Sequence, residues 1–221
     1  MNLTVRAMTR YTAGLALTML FLFVPAGTFN WPHAWRLLLL LFVPMLAIGA
    51  VLRFQAPILL RKRLGAKESE PVQKLIAVLT AILSAAMLIT AGLNFRCSWY
   101  AFPGAAVTAG AVLFSLGWLL YAETLRENPY LSRTVRCEAG QKLVDTGLYA
   151  CIRHPMYTAA LTLFLTMPLI LNSPASLAAS LLYVPLFAAR IKNEERVLEK
   201  ELEGYAEYKR RVRFRLIPGI W

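Results

Sequence analysis

The chain is 221 residues long, and 58% of its residues are hydrophobic. A soluble globular domain has about 45–50% apolar residues, so this composition excludes an ordinary soluble protein. The net charge is +12, and the charged residues cluster between long uncharged runs. We interpret these clusters as sites that bind anionic lipid headgroups in preference to nucleic acid. We therefore expect an integral membrane protein with membrane lipids, and no nucleic acid, as partners.

Uncharged runs predict the membrane helices, because about 20 apolar residues in a helix cross the hydrocarbon core. The first half of the chain has four, near residues 11–29, 35–52, 73–95 and 104–121. A further uncharged run, residues 155–189, is too long for one span and contains the turn signal Asn172–Pro174. We interpret it as a helical hairpin with arms near 155–171 and 175–189. Each arm is short, so it either re-enters the membrane or continues into water.

The predicted fold is all-α. It is a polytopic membrane bundle of about six hydrophobic helices, with a C-terminal helical hairpin and a cytoplasmic amphipathic helix. Residues 1–121 are predicted to form a four-helix membrane part. Residues 122–221 are predicted to form a second part, made of a loop, the hairpin and a tail.

The basic residues predict the orientation of the chain. All of the 24 Lys and Arg residues except Arg36 and Arg96 fall on one side of the predicted helices. The positive-inside rule places that side in the cytoplasm. Both termini are therefore predicted to be cytoplasmic.

Three segments on the predicted cytoplasmic side carry most of the polar residues. Residues 53–74 are basic and amphipathic, which favours a helix that lies at the interface as an anchor. Residues 122–155 form a long loop, and their Tyr, Leu, Val and Ile content argues for order. The tail begins as an amphipathic helix with Gly204 as its expected C-cap. The periodic positions of that helix are Ile191, Glu194, Glu195, Leu198 and Leu202.

The cysteines indicate no special chemistry. Cys97, Cys137 and Cys151 form no CxxC sequence, and the last two face the reducing cytoplasm in this topology, so no disulfide is expected there. With so few Cys and His residues close together, we also expect no metal site. We interpret Cys151 as a small residue that packs, not as a nucleophile.

The sequence RHPMY, residues 153–157, places Arg153, His154 and Tyr157 within one helical turn. Pro155 suits the first turn of a helix, where its missing N–H costs nothing, so His154 is predicted near the N-cap. A helix N-terminus beside an arginine and a histidine favours a bound carboxylate. The alternative is structural, with an arginine that extends to the headgroups and a histidine that caps the helix.

The sequence RIKNEERVL, residues 190–198, places Arg190 and Glu194 on one helix face. One interpretation is an exposed ion pair worth under about 1 kcal/mol. However, Arg190 ends an apolar run, and charges at that depth tend to be functional. Because antiparallel hairpin arms place their outer ends side by side, we expect these two residues to meet His154 and Tyr157 in one cytoplasmic pocket.

Several of these sequences together resemble one family. LVDTGLYACIRHPMY, an apolar hairpin, NEERVL and GYAEYKRRVRFRLIP resemble the isoprenylcysteine carboxyl methyltransferase family of integral membrane methyltransferases. The resemblance extends over about residues 123–218 and makes residues 122–221 the catalytic region. The stretches GTFNWPHAW and RENPYLSRTV resemble bacterial branches of the family, which implies a bacterial inner membrane.

The resemblance implies S-adenosyl-L-methionine as a cofactor that is bound without a Rossmann domain. The sequence agrees, since it has no strand followed by GxGxxG. Gln141 stands where the family commonly has His, and Leu148 stands where it usually has Pro. Arg190 and Arg153 are the predicted catalytic residues. The predicted cofactor-binding residues are Gln141, Lys142, Leu143, Val144, Tyr149, His154, Pro155, Met156, Tyr157 and Glu194.

These residue types fit methyl transfer from a sulfonium, which needs an aligned acceptor but no metal. His154 and the helix N-terminus suit the carboxylate of the cofactor, and Glu194 suits its amino group or a ribose hydroxyl. Tyr149 and Tyr157 suit its sulfonium or adenine. Arg190 suits an anionic acceptor, such as the carboxylate of an isoprenylcysteine-like compound or another lipid. We expect this lipophilic acceptor to arrive from the bilayer.

Two other functions stay open at this point. A membrane reductase of the sterol-reductase type, which uses NADPH, has a similar RHxxY-type C-terminal region, but tends to have Asn at the position of Met156. A non-catalytic scaffold or transporter is the other alternative. The first four predicted helices carry no internal charge for an ion or proton path, which argues against transport.

Overall fold

The computed structural model describes residues 2–65, 70–132, 134, 137 and 140–221. In these residues the chain forms nine α-helices and one 3₁₀ helix, and no β-strand. This confirms the predicted all-α fold. The helices are α1 (Leu3–Ala26), α2 (Pro32–Gln55), α3 (Pro57–Gly65), α4 (Pro71–Cys97), α5 (Gly104–Glu127), the 3₁₀ helix Gly147–Ala150, α6 (Pro155–Ile170), α7 (Pro174–Leu181), α8 (Tyr183–Glu201) and α9 (Tyr205–Arg211).

Five stretches are long and apolar enough to span a membrane: α1, α2, α4, α5 and the combined length of α7 and α8. The four predicted N-terminal spans overlap the first four of these. α1 lies nearer the N-terminus than the predicted span 11–29, because Gly27 ends it in a left-handed conformation with φ of 72°. α5 continues through residue 121 to Glu127, and the division of the chain at residue 121 stays a prediction.

The predicted hairpin is present, with arms of unequal length. Its first arm is α6, which has 16 residues and is shorter than a full span. The turn contains Asn172, which has φ of 53°, and Ser173, whose side chain accepts the Ser176 N–H and caps α7. The second arm passes through α7 and, after Leu182, through α8 to Glu201. It therefore continues well beyond the apolar run.

The hairpin turn contacts the loop between α4 and α5. The backbone N–H of Phe102 donates to Asn172 Oδ1 at 2.7 Å. The two segments lie at the same end of the bundle, as the predicted topology requires. Which side of the membrane that end faces stays a prediction.

Two glycines allow close helix pairs that position the rest of the molecule. A Cβ at Gly92 would lie 2.6 Å from the carbonyl oxygen of Leu22, and one at Gly110 would lie 2.5 Å from Leu169 Cβ. Small residues let membrane helices approach in this way. As a result α4 packs on α1 and α5 packs on α6, which places the C-terminal end of α5 near the N-terminal end of α6.

The segment 53–74 contains a helix, as predicted. α3 starts directly after α2 and buries Leu59 and Leu60. Residues 66–69 of this segment lie outside the described residues. The role of the segment as an anchor stays a prediction.

The tail differs from its prediction at one point. α8 ends at Glu201 with Leu202 as its C-cap, so the prediction that Gly204 caps this helix was wrong. Gly204 has φ of 78° and directly precedes α9. It therefore provides the sharp turn that folds α9 back toward the bundle.

Candidate functional site

One cavity lies between the α5–α6 loop, the start of α6, the end of α8 and α9. Every predicted site residue except Pro155 lines it; Pro155 is fully buried at the start of α6. The cavity contains about 840 Å³ of empty space, counted with its open mouth. The predicted site residues in the wall are Gln141, Lys142, Leu143, Val144, Tyr149, Arg153, His154, Met156, Tyr157, Arg190 and Glu194.

The N-terminus of α6 is built as the RHPMY sequence predicts. His154 is the N-cap, and Pro155 occupies the first turn. The His154 side chain does not cap the helix, so that structural alternative was wrong. Its Nε2 atom instead lies 3.3 Å from Glu195 Oε1 on α8.

Arg153 is buried and paired, not extended toward the headgroups. Its side chain is 3% exposed, and its Nε donates to Glu195 Oε1 at 2.8 Å. Its Nη1 donates to the carbonyl oxygens of Val212 and Arg213 at 2.5 and 2.9 Å. Arg215 donates to the second oxygen, Glu195 Oε2, at 3.0–3.1 Å. Glu195 is thus bracketed by two arginines, an arrangement that lets a buried carboxylate stay charged.

The tail is also held by its backbone. The N–H groups of Arg153 and His154 donate to the carbonyl oxygens of Phe214 and Arg215, at 3.0 and 2.9 Å. Together with the contacts of Glu195, these bonds fix the tail against the start of α6. In the sequence Glu195 is recognisable only as a periodic position of the amphipathic helix, and this role was not predicted.

Arg190 and Glu194 share a partner on the other arm of the hairpin. Arg190 Nε donates to the Tyr157 hydroxyl at 2.8 Å, and that hydroxyl donates to Glu194 Oε2 at 2.5 Å. The Arg190 guanidinium also lies 5.8 Å from the centre of the Tyr157 ring. The expected meeting of the two arms is therefore present, and Tyr157 links them. The chemical roles of the three residues stay predictions.

Tyr149 is fixed at both ends. Its hydroxyl accepts a hydrogen bond from Asn128 Nδ2 at 3.1 Å, and its carbonyl oxygen accepts one from the Tyr208 hydroxyl at 2.8 Å. Burial raises the pKa of the Tyr149 phenol, so it stays protonated at neutral pH. Asn128 and Tyr208 also line the cavity, and neither was identified from the sequence.

Tyr205 is a further site residue that was not identified from the sequence. It lines the cavity and is 3% exposed, and its buried hydroxyl has no hydrogen-bond partner among the described residues. Burial raises the pKa of this phenol as well, so it is a hydrogen-bond donor at neutral pH. The signal available in the sequence was the tail GYAEYKRR, which was noted but not connected to the pocket.

The sequence TGLY, residues 146–149, forms the turn that carries Tyr149. Gly147 has φ of 53°, and a Cβ there would clash with the Glu127 carboxylate. Leu148 N–H donates to both Glu127 oxygens, at 2.9 and 3.2 Å. A proline at residue 148 would lack this donor. Leu148, which stands where the family usually has proline, therefore provides an N–H donor for the Glu127 carboxylate.

Residues 105–204 match the model of the phospholipid methyltransferase family. The match begins in α5 and ends at Gly204, so it includes the RHPMY and NEERVL sequences and most of the cavity wall. No curated protein matches the chain. The resemblance to integral membrane methyltransferases is thus confirmed over this range.

Proposed function

We propose that this protein is an S-adenosyl-L-methionine-dependent methyltransferase that acts on a lipophilic acceptor with an anionic group. One observation carries the proposal. A single cavity joins the predicted cofactor-binding residues to Arg190, at the point where the apolar hairpin meets the polar tail. The family match supports methyl transfer, and the cofactor and acceptor are our inference.

The residues present fit this cofactor. S-adenosylmethionine has a carboxylate, an amino group and ribose hydroxyls, which need several hydrogen-bonding partners in a buried site. The unpartnered Tyr205 hydroxyl provides a donor, and Glu194 provides a carboxylate. His154 provides an imidazole whose orientation is fixed by Glu195. Among the described buried polar atoms that lack a partner, the Tyr205 hydroxyl is the one that belongs to a lining residue of this cavity, which favours a polar ligand there.

Arg190 is the residue that we assign to the acceptor. It precedes Glu194 by one helical turn and lies closer to the apolar run. Its bond to Tyr157 holds the guanidinium toward the cavity. A planar guanidinium orients a carboxylate or phosphate oxygen through paired donors. The bound cofactor would supply an activated methyl group, whose carbon–sulfur bond breaks as the bond to the acceptor forms.

In this proposal Arg153 is a positioning residue. Its guanidinium is bound to Glu195 and to two tail carbonyls. It acts by holding the tail, and with it α9 and Tyr205, over the cavity. This replaces a direct catalytic role as our interpretation of Arg153.

The first experiment measures ligand binding to the purified protein by calorimetry. S-adenosylhomocysteine should bind with low-micromolar to sub-millimolar affinity, and NADPH should not bind. Micromolar binding corresponds to about 8 kcal/mol. Glu194→Gln should weaken S-adenosylhomocysteine about ten-fold, since a charge-assisted hydrogen bond is worth roughly 1.5–3 kcal/mol. Binding of NADPH alone would overturn the proposal in favour of a reductase.

A second measurement addresses the acceptor. Transfer of labelled methyl groups should be compared with vesicles of a phospholipid that has a primary amine and with a prenylated cysteine carboxylate. Methylation of either compound supports the proposed class of lipophilic acceptor. Transfer to neither compound, nor to a total lipid extract, would exclude it.

A further inference from the structure

An apolar groove runs along the bundle between α2 and α5. One part of the groove, which we call its upper part, is lined by residues that include Pro44 and Trp118. The other part, which we call its lower part, is lined by α3 and the C-terminal end of α5. The two parts share Ala47, Ile48 and Ala122, so they form one continuous surface. We call it the α2–α5 groove. Most of it lies outside the range that matches the family.

The lower end of the α2–α5 groove reaches the candidate site. Tyr130 lines both the groove and the cavity of the candidate site, which we call the cofactor cavity. The cofactor cavity is therefore separated from the groove by the wall to which Tyr130 belongs. A chain that lies in the groove would place its polar end at this wall.

α3 also contacts residues around the lower end of the groove. Arg63 Nη2 donates to the Tyr121 hydroxyl at 2.7 Å, and its Nη1 donates to the Leu131 carbonyl oxygen at 3.4 Å. Lys62 Nζ lies 5.6 Å from the centre of the Tyr130 ring. The ordered contacts of α3 are thus made with the site loop as well as with α2. A helix that only anchored the protein to lipid would not need them.

The charges in the α2–α5 groove are of one sign. Lys62 and Arg126 line its lower end, and no carboxylate appears among the described lining residues. Lys62 is the cation where the groove meets the cofactor cavity, because its Nζ lies against the ring of Tyr130, at 5.6 Å from the ring centre. An apolar channel with a cation at its polar end is complementary to an amphiphile with an anionic head.

We propose that the α2–α5 groove is the path of the methyl acceptor, and that Lys62 recognises its anionic head. This deepens the proposed function and depends on it. The acceptor has an apolar chain that lies between α2 and α5. Its head lies at Tyr130, the residue that the groove shares with the cofactor cavity containing Arg190. α2 and α3, which lie outside the family match, thereby contribute to the choice of acceptor.

The alternative to an acceptor path is that the groove holds ordinary membrane lipid. A second apolar cavity, between α1, α2 and α3, gives a matched comparison. It is lined by Ala7 and by the cations Arg10 and Arg53, and it shares no described lining residue with the cofactor cavity. Ordinary lipid would occupy both cavities in the same way.

The test uses two photoreactive probes on the full-length protein: a fatty acid with a mid-chain diazirine, and the fatty alcohol of the same length. Cross-linked peptides are mapped by mass spectrometry. The fatty acid should label α2 and α5 around Ala47 and Ala122. Ala122→Phe should remove the labelling by both probes. Ala7→Phe, the control in the other cavity, should leave it unchanged.

Charge recognition is tested by Lys62→Gln. This variant should lower labelling by the fatty acid about three- to five-fold, the scale of a partly exposed charge pair, and should leave the alcohol unchanged. Arg10→Gln is the matched control and should change neither. Equal labelling of both cavities, or equal effects on acid and alcohol, would overturn the proposal.

The same variants are assayed for S-adenosylhomocysteine binding and for methyl transfer to a lipid extract. Neither Lys62 nor Ala122 lines the cofactor cavity, so affinity should stay within about two-fold of the parent. Methyl transfer by Ala122→Phe should fall at least ten-fold. Unchanged transfer would overturn the groove as the acceptor path. A parent that labels specifically but fails to bind S-adenosylhomocysteine would instead contradict the proposed function.

Discussion

At the scale of single residues, Tyr205 and Tyr208 form a matched pair on α9. Both line the cavity and both are buried, but only the Tyr208 hydroxyl is bonded, to the Tyr149 carbonyl oxygen at 2.8 Å. The Tyr205 hydroxyl has no partner within the described part of the chain. The same substitution should therefore lower the stability of the protein at residue 208 but not at residue 205.

Tyr205→Phe should leave the unfolding temperature unchanged or raise it, because an unpartnered buried hydroxyl costs stability. It should weaken S-adenosylhomocysteine by about three- to ten-fold, the scale of one hydrogen bond. Tyr208→Phe should lower the free energy of unfolding by about 1 kcal/mol. Thermal unfolding in detergent, with and without ligand, measures both effects. Loss of stability in Tyr205→Phe would show that its hydroxyl has a structural partner.

Arg190→Lys separates catalysis from binding. Lysine keeps the charge but loses the planar pair of donors. We expect S-adenosylhomocysteine affinity to change by less than about three-fold, which is under about 1 kcal/mol. Methyl transfer should fall by roughly two orders of magnitude, the scale of a misoriented reactant. Near-normal turnover would mean that Arg190 has only a structural bond with Tyr157.

At the scale of elements, the α5–α6 loop depends on a glycine that contacts α5. Gly147 and Gly140 have similar φ values, 53° and 73°. A Cβ at residue 147 would clash with Glu127, whereas a Cβ at residue 140 has no described neighbour within 4 Å. Both positions carry the cost of a left-handed conformation, and only Gly147 carries the clash.

Gly147→Ala should therefore displace Glu127, break its bond with Leu148 N–H and move Tyr149. We expect S-adenosylhomocysteine affinity to fall about ten-fold, which corresponds to roughly 1.4 kcal/mol. Gly140→Ala should cost about 1–2 kcal/mol of local strain and change the affinity by less than about two-fold. Calorimetry on both variants makes the comparison. Equal losses of affinity would show that left-handed strain alone, and not the contact with α5, shapes the loop.

At the scale of the whole molecule, two natural cysteines report the topology. Cys97 ends α4, and Cys151 lies just before α6; both are exposed, so the interpretation of Cys151 as a residue that packs was wrong. The two cysteines lie at opposite ends of the bundle, because the α4–α5 loop contacts the hairpin turn and Cys151 lies in the chain between Tyr149 and Arg153, which line the cavity. The predicted orientation places Cys151 in the cytoplasm together with both termini.

Single-cysteine variants on a Cys137→Ser background test this orientation. With a membrane-impermeant maleimide, Cys97 should be labelled in intact bacterial spheroplasts and Cys151 only after lysis. A reporter protein that is active only in the cytoplasm should be active when it is fused after Trp221, and one that is active only outside the cytoplasm should be inactive there. Labelling of Cys151 from outside would reverse the orientation and would place the cavity on the wrong side for a cytoplasmic cofactor.

The membrane helices and the meeting of the hairpin arms were predictable from the sequence. Uncharged runs of the required length mark α1, α2, α4 and α5, because each charge inside the hydrocarbon core would be costly. Once the run 155–189 is interpreted as a hairpin, its two ends must lie together. Tyr157, Arg190 and Glu194 are therefore neighbours for a topological reason.

The sequence by itself thus determined the class of fold, the helix positions and the residues of one pocket. The cost of charges in the hydrocarbon core determines where the helices lie in the chain, and the hairpin brings the ends of its two arms together. Only the tertiary structure decided which groups are bonded. Arg153 and Glu195 are 42 residues apart, and Arg63 and Leu131 are 68 apart. Periodicity carries no information about such pairs. Their contacts follow from how α3, α9 and the tail fold over the hairpin, and that depends on all of the packed surfaces together.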